Sequence, residues 1–457
     1  METSTSNIIA ERQFFIRLFL MLAPAAAITI IAVNHTAMGA MIGFLTGLVV
    51  CVRSPIYGLP IIIIGAALNN IDFIFGLHFG WILIAGCSAG TMMHATLGDN
   101  KLRFDVSIFL IAFLFTLQEV GRGLMAGDGR LDRLAALLTI LLFLGLLRAS
   151  GPGMTLQRHF PFGETRVLVY LVGGVGILLV LATLSMMSTR EFQLSRAGEL
   201  GLAIGETESS PRSLSNILGI VLVTCLTAVI SMPAHMRDKL IWGAMGTAAF
   251  VGMVYTGSRM PVFAAGFALL VALLAQFTFL GRTLRANNLI WLMGGAMLAV
   301  MGLVLLEAHG PGILPFAEGA VDFRLFRAPV LESNTRLDMW AAYFADASIQ
   351  QLLLGTGIGA FGNPHSLYVG TLITFGLVGL LALGLFIIRL STEAFRIRST
   401  VAVSTLAYTL LALSSSSDID KSYFWVLCSV IITFICVAKR ESAIENVRLS
   451  ERTLPCR

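Results

Sequence analysis

Charge is what this sequence has least of. Lys, Arg, Asp and Glu make up 12% of its 457 residues, roughly half the share a soluble globular chain carries. With 56% hydrophobic residues and a mean hydropathy of +0.85, there is too little polar side chain to cover a water-facing surface. Cysteine chemistry is also missing. The six cysteines contain no CxxC pair, and Cys51, Cys87, Cys225, Cys428 and Cys436 lie in or beside apolar runs, where thiols act as small hydrophobes. Neither a disulfide framework nor a metal site is implied, and no cofactor is expected. A cleavable signal peptide is lacking as well: the first apolar run, Phe14–Val33, is too long for a signal core and reads as the first span. No inverted repeat of the kind that marks many secondary transporters is visible.

Long apolar runs are what the chain does have. Fourteen of them, about 14 to 25 residues each, can be read between polar breaks, seven before residues 188–213 and seven after, against the roughly 20 residues a bilayer asks of a helix. The expected fold is an all-α polytopic membrane protein with about 12–14 transmembrane helices. Lys and Arg test that count, because a missed span would flip every later loop. With the N-terminus placed in the cytoplasm, 20 of the 31 Lys and Arg residues fall inside and 11 outside, although the two longest loops are outside. The inside set includes Arg53, Arg148, Arg166, Arg237, Lys239, Arg389, Lys439 and Arg440. The net charge of +5 is thus an orientation signal and calls for no nucleic-acid partner. The shortest runs are Met38–Val52 and Thr400–Leu413.

The organisation that follows is an N-terminal transmembrane bundle (1–187), an outer loop (188–213), further helices carrying Ser258-Arg259 (214–306), a large outer loop (307–365), C-terminal transmembrane helices (366–438) and a cytoplasmic tail (439–457). In the large loop, residues 334–354 place Leu337, Trp340, Ala341, Phe344 and Ala347 at helical spacing, with Ser333 or Asn334 as the cap. That pattern suits an amphipathic helix lying on the membrane surface.

Several outside charges sit at membrane boundaries, where an unpaired charge is costly. Arg259, in VYTGSRMPVF, occupies a break of a few residues between two spans. Either it snorkels to headgroups or it clamps a phosphate, for which the planar fork of its guanidinium is suited. Arg336, in ESNTRLDMW beside Glu332 and Asp338, fits a surface salt bridge or a ligand contact equally well. Arg122, three residues after Glu119, is best read as one half of an ion pair. The stretch GTGIGAFGNPHS, Gly355 to Ser366, does not follow a strand or precede a Walker lysine, so it is not a nucleotide loop. Gly355, Gly357 and Gly359 read as a loop hinge that returns the chain to the membrane. His365 then opens the next span, and its ordinary pKa near 6.5 suits a general base as well as a structural role.

The order TGSRMP, then a large outer loop with NTRLDMW, then LLLGTGIGAF and a histidine at the head of a span, resembles the O-antigen ligase and O-antigen polymerase family of bacterial envelopes. The resemblance covers mainly Tyr255 to Gly379. It implies an inverting, metal-independent glycosyltransferase in the bacterial inner membrane with its active site facing the periplasm; the charge pattern puts both termini in the cytoplasm. The implied donor is an undecaprenyl diphosphate-linked glycan; the acceptor is a glycan or lipid A core, and membrane lipids and other polysaccharide assembly proteins are the implied partners. Arg259 and Arg336 match the family's diphosphate-binding arginines, and His365 matches its acceptor-activating histidine. The family usually has asparagine after that histidine; here Ser366 follows. Polymerase and ligase are not separated by this sequence, and a lipid-linked oligosaccharide flippase or another polytopic transporter is the competing class.

Overall fold

The computed structural model describes residues 2–34, 36–68, 72–74, 77–97, 106–126, 131–149, 163–189, 203–204, 207–208, 211–256, 258–280, 335–358, 366–414 and 422–453. In the first half these form α1 (Glu2–Asn34), α2 (Thr36–Arg53), a 3-10 turn (Pro55–Gly58), α3 (Leu59–Ala67), α4 (Phe79–Leu97), α5 (Val106–Ala126), α6 (Leu131–Ala149) and α7 (Glu164–Thr189). The second half contributes α8 (Pro211–Ser231), α9 (Met236–Tyr255), α10 (Arg259–Leu280), α11 (Thr335–Asp346), α12 (Ile349–Leu354), α13 (Leu367–Arg396), α14 (Thr400–Ala412) and α15 (Ser422–Thr453). Two small antiparallel ribbons, Asp72–Ile74 with Leu77–His78 and Ala203–Ile204 with Thr207–Glu208, are the described strands.

Seven described helices, α1, α5, α7, α8, α10, α13 and α15, are long and apolar enough to cross a bilayer, and four shorter apolar helical stretches accompany them. The protein is an all-α polytopic membrane protein. Twelve of the fourteen apolar runs land on helices, Ile56–Phe75 does so only in part, and Asn288–Leu306 lies outside the described residues.

One run needs correction. Ile56–Phe75 is not a single regular span: helix stops at Ala67 and the Asp72–His78 ribbon follows. The segment nevertheless brings the chain back. A Cβ added to Gly43 would meet Leu83, one on Gly47 would meet Cys87, and Gly86 and Gly90 abut the carbonyls of Phe44 and Leu48. Partners that advance together mean that α2 and α4 run parallel, so residues 54–78 must recross the bundle between them. The glycines at 43, 47, 86 and 90 form a small-xxx-small pattern on each helix, and only their missing side chains allow this approach.

α8 is the centre of the bundle. Its membrane window is 94% buried, against 22% for α5 and 28% for α10, whose outward faces are left for lipid. α8 packs against α7, α9, α10 and α14. The Tyr408 hydroxyl donates to the Asn216 carbonyl at 3.0 Å, and the Thr227 and Ser404 hydroxyls meet at 3.0 Å. Such hydrogen bonds between buried helices contribute about 0.6–2 kcal/mol each. The two contacts also show that α8 and α14 are antiparallel.

Most ionic contacts among the described residues collect at one end. Arg166 pairs with Asp238 at 2.6 Å, and the Tyr170 hydroxyl donates to the same carboxylate at 2.6 Å. Arg440 pairs with Glu164 at 3.0 Å, while its neighbour Lys439 reaches Glu393 at 3.0 Å. Arg148 and Arg389 also reach Glu393. Arg148, Arg166, Arg389, Lys439 and Arg440, which the charge pattern assigns to one side, therefore share one end of the described bundle.

Candidate functional site

The opposite end holds those of the residues singled out for chemistry that are described. Phe279 and Phe395, at the C-terminal ends of α10 and α13, touch edge to face at 5.8 Å, so the N-termini of these helices, at Arg259 and Leu367, lie at the other end together. α14 packs against both and runs the opposite way: Leu367 N–H donates to the Leu413 carbonyl at 2.9 Å and the Tyr368 hydroxyl to the Leu410 carbonyl at 3.0 Å. Ser366 caps α13, its hydroxyl accepting from Val369 N–H at 3.4 Å.

The stretch before that cap is tightly built. The surface helix expected over 334–354 is two helices, α11 and α12, broken at Ser348. There the Ser348 hydroxyl accepts from Gln351 N–H at 3.2 Å and the Gln351 side chain accepts from Ser348 N–H at 2.9 Å, a reciprocal cap. Tyr343 of α11 is buried, whereas Phe344, Ile349, Leu353 and Leu354 expose an apolar face. Burial pushes the Tyr343 phenol above its ordinary value, and the nearby Thr356 hydroxyl offsets part of that rise. Gly355 caps the C-terminus of α12, and residues 355–358 then run without helical structure into a break in α13.

That break is at Gly376, with φ 67° and ψ −169° inside an otherwise continuous helix. Breaking a membrane helix frees carbonyls that lipid cannot satisfy. Here the returning chain satisfies them. Thr356 N–H donates to the Ile373 carbonyl at 2.8 Å, its hydroxyl to the same oxygen at 3.0 Å, and Gly357 N–H to the Thr374 carbonyl at 2.8 Å. Gln118 of α5 donates its side-chain amide to the carbonyls of Thr374, at 2.9 Å, and Leu354. Glu119, fully buried, accepts the Ile358 N–H at 2.7 Å and lies 3.6 Å from the Arg122 guanidinium. Phe115 stacks on Phe375 at 3.7 Å, closing the apolar side.

Gly355 and Gly357 have φ of 80° and 90°, the left-handed region that side chains disfavour. Their surroundings would exclude a Cβ in any case: on Gly355 it would strike the Thr374 carbonyl, on Gly357 the Arg122 guanidinium, and on Gly376 the Leu353 carbonyl.

No protein-family model and no curated protein matches the chain.

The sequence-predicted residues stand as follows. Arg259 opens α10 and Arg336 lies in the first turn of α11; the side chains of both lie outside the described residues, as do Gly359 and His365 entirely. The described backbone puts Arg259, Arg336, the 355–358 stretch and the Ser366 cap at one end of the bundle. The Glu119–Arg122 ion pair is present as expected. What the sequence reading missed is that this pair, with Gln118, grips the glycine stretch. A polar Gln-Glu pair near the end of an apolar span was the available sign, since ionisable groups at membrane depth rarely lack a partner. Among the described residues no three His, Cys, Asp or Glu side chains come together to hold a metal.

Proposed function

We propose that the protein is an inverting, metal-independent glycosyltransferase of the O-antigen ligase or polymerase type, transferring glycan from an undecaprenyl diphosphate donor to a sugar hydroxyl of a glycan or lipid A core acceptor. In this reading it sits in the inner membrane with 12–14 spans, both termini in the cytoplasm, and the large loop of 307–365 on the periplasmic side. Arg259 and Arg336 bind the donor diphosphate. His365 takes the proton of the acceptor hydroxyl as that oxygen attacks the anomeric carbon from the face opposite the leaving diphosphate. The diphosphate departs as an anion, so fixed positive charge lowers the barrier more than a general acid would.

The observation that carries the reading is the fixed return of residues 355–358 at the same end of the bundle as the start of α10 and the first turn of α11. A site that aligns a hydroxyl with an anomeric carbon needs a rigid frame, and α5, α12 and the broken α13 supply one through main-chain hydrogen bonds. The exposed apolar face of α11 and α12 fits a surface helix beside a lipid-borne donor. The deciding experiment is incubation of purified protein with an undecaprenyl diphosphate-linked glycan, with and without lipid A core, followed by glycan sizing. Longer glycan chains indicate a polymerase, and glycan on lipid A core a ligase. Near-normal transfer by both Arg259→Ala and Arg336→Ala overturns the assignment.

A transporter is the second reading, and the broken α13 favours it, because discontinuous helices line many transport sites. Against it, the carbonyls of Ile373 and Thr374 are already engaged by Thr356, Gly357 and Gln118. Movement of glycan across a vesicle without change in its length would support transport.

A further inference from the structure

We propose that Tyr343 is a positioning residue for the transfer reaction: by bracing α11 against the glycine clamp it sets where Arg336 stands at the donor site. The inference rests on the function proposed above and adds to it a residue that acts through another. α11 has 12 residues, a length at which an isolated helix is marginal in water, so whatever docks it decides where it lies. Among its described side chains Tyr343 is the buried one, at 7% exposure, with Met339 and Trp340 half-buried and the remainder exposed.

The Tyr343 phenol adjoins the Thr356 hydroxyl. Thr356 is among the most firmly held residues of the clamp, since its N–H and its hydroxyl both donate to the Ile373 carbonyl, at 2.8 and 3.0 Å. The ring therefore ties the surface helix to the break in α13. Behind the ring lies a joint. Ala347 N–H donates to the Tyr343 carbonyl at 2.9 Å, helical geometry lapses at residues 347–348, and Ser348 caps α12, which packs on α13.

Arg336 stands seven residues before Tyr343, about two helical turns, so the two positions share one side of α11. The side that is buried at the clamp is thus also the side of the arginine. Joint, brace and arginine follow one another along a lever, at residues 347, 343 and 336. Without the ring, a rocking of α11 by about 10° at the joint would carry the backbone of residue 336 through about 3 Å. A displacement of about 1 Å already costs on the order of 100-fold in rate, and the planar fork of a guanidinium tolerates little misalignment. Charge on the diphosphate grows as the glycan leaves, so the loss falls on kcat more than on donor binding.

The test compares full-length wild type with Tyr343→Ala, Tyr343→Phe, Arg336→Ala and the double variant Tyr343→Ala/Arg336→Ala. Each is assayed for transfer from an undecaprenyl diphosphate-linked glycan, with and without lipid A core, and for hydrogen exchange. Tyr343→Ala should lower kcat by about 10–100-fold and shift the donor KM by less than about 3-fold. Tyr343→Phe, which keeps the ring, should stay within about 3-fold of wild type. In the Arg336→Ala background the loss of the ring should add less than about 2-fold, because the brace acts through the arginine. Amides 339–346 should exchange faster in Tyr343→Ala while the Ile358 amide keeps its protection, which separates a loosened α11 from a broken clamp. Should Tyr343→Ala fail to fold, Tyr343→Leu serves in its place, with a loss of about 5-fold expected. Full transfer by the variant used, an equal loss with and without Arg336, or unchanged exchange in α11 overturns the proposal. A wild type that transfers no glycan under any of these conditions strikes the proposed function instead; the brace is then judged by exchange alone, where unchanged protection of α11 overturns it.

Discussion

The two ends of α13 solve the same problem in opposite ways. Near its start, polar groups within the membrane are satisfied largely by main chain: the Gly376 break, the non-helical 355–358 stretch and the Gln118 side-chain amide leave the geometry almost no freedom. Near its finish, long side chains do the work, and Arg389 and Lys439 keep much of their surface in solvent. Backbone hydrogen bonds position atoms to within tenths of an ångström, while flexible cations adjust to whatever anion is present. Rigidity is thus placed where a reaction between two bound sugars is proposed, and adaptability where the molecule meets its membrane.

Substitutions at the two ends should separate along that line. The largest effect is expected on chemistry: Arg259→Ala or Arg336→Ala should reduce glycan transfer from tens to thousands of fold, equivalent to about 2–5 kcal/mol, with normal membrane insertion. Next come two glycines of the same helix. Gly376→Ala forces a side chain into a left-handed residue and onto the Leu353 carbonyl, and should cost about 3 kcal/mol or more in a detergent melt and slow transfer. Gly384→Ala, with nothing within 4 Å of the new methyl, should be neutral or stabilise by up to about 1 kcal/mol. Smaller than the Gly376→Ala cost, Glu119→Ala leaves the buried Ile358 N–H without its acceptor. It should cost about 1–3 kcal/mol and speed hydrogen exchange at the Ile358 amide. Smallest, Arg389→Gln should shift stability by less than about 1 kcal/mol and leave transfer unchanged. If Arg389→Gln proved as damaging as Gly376→Ala, the contrast between the ends would be lost.

Helices were legible because membrane spans are apolar throughout: twelve of the fourteen runs are found as helix, and Ile56–Phe75 is helix only as far as Ala67. Sidedness was legible in part: Arg148, Arg166, Arg389, Lys439 and Arg440, grouped by charge alone, are joined through Glu393, Glu164 and Asp238. Local pairing was legible too, since Glu119 and Arg122 are one helical turn apart. The Ser348 break carried its own sign, a serine followed three residues later by glutamine, and was passed over because the apolar spacing runs through it. The clamp was not legible. Gln118 and Thr374 are 256 residues apart, and Gly376 sits in an apolar run where nothing local distinguishes it from Gly384. The third run broke at Ala67 because parallel α2 and α4 set the path of the chain between them, a constraint that belongs to packing.

The buried carboxylate of Glu119 has a history during synthesis. Its partner in α5, Arg122, is available as soon as that helix forms, but the Ile358 amide emerges 239 residues later. At about 5–20 residues per second, the carboxylate waits roughly 10–50 s, by which time several later helices have been handed to the membrane. Throughout that interval the arginine is its nearest source of positive charge. A chain that lost it would have to carry a bare acid at the edge of the bilayer until the last third of the protein arrived, so the ion pair guards assembly before it ever braces the finished loop.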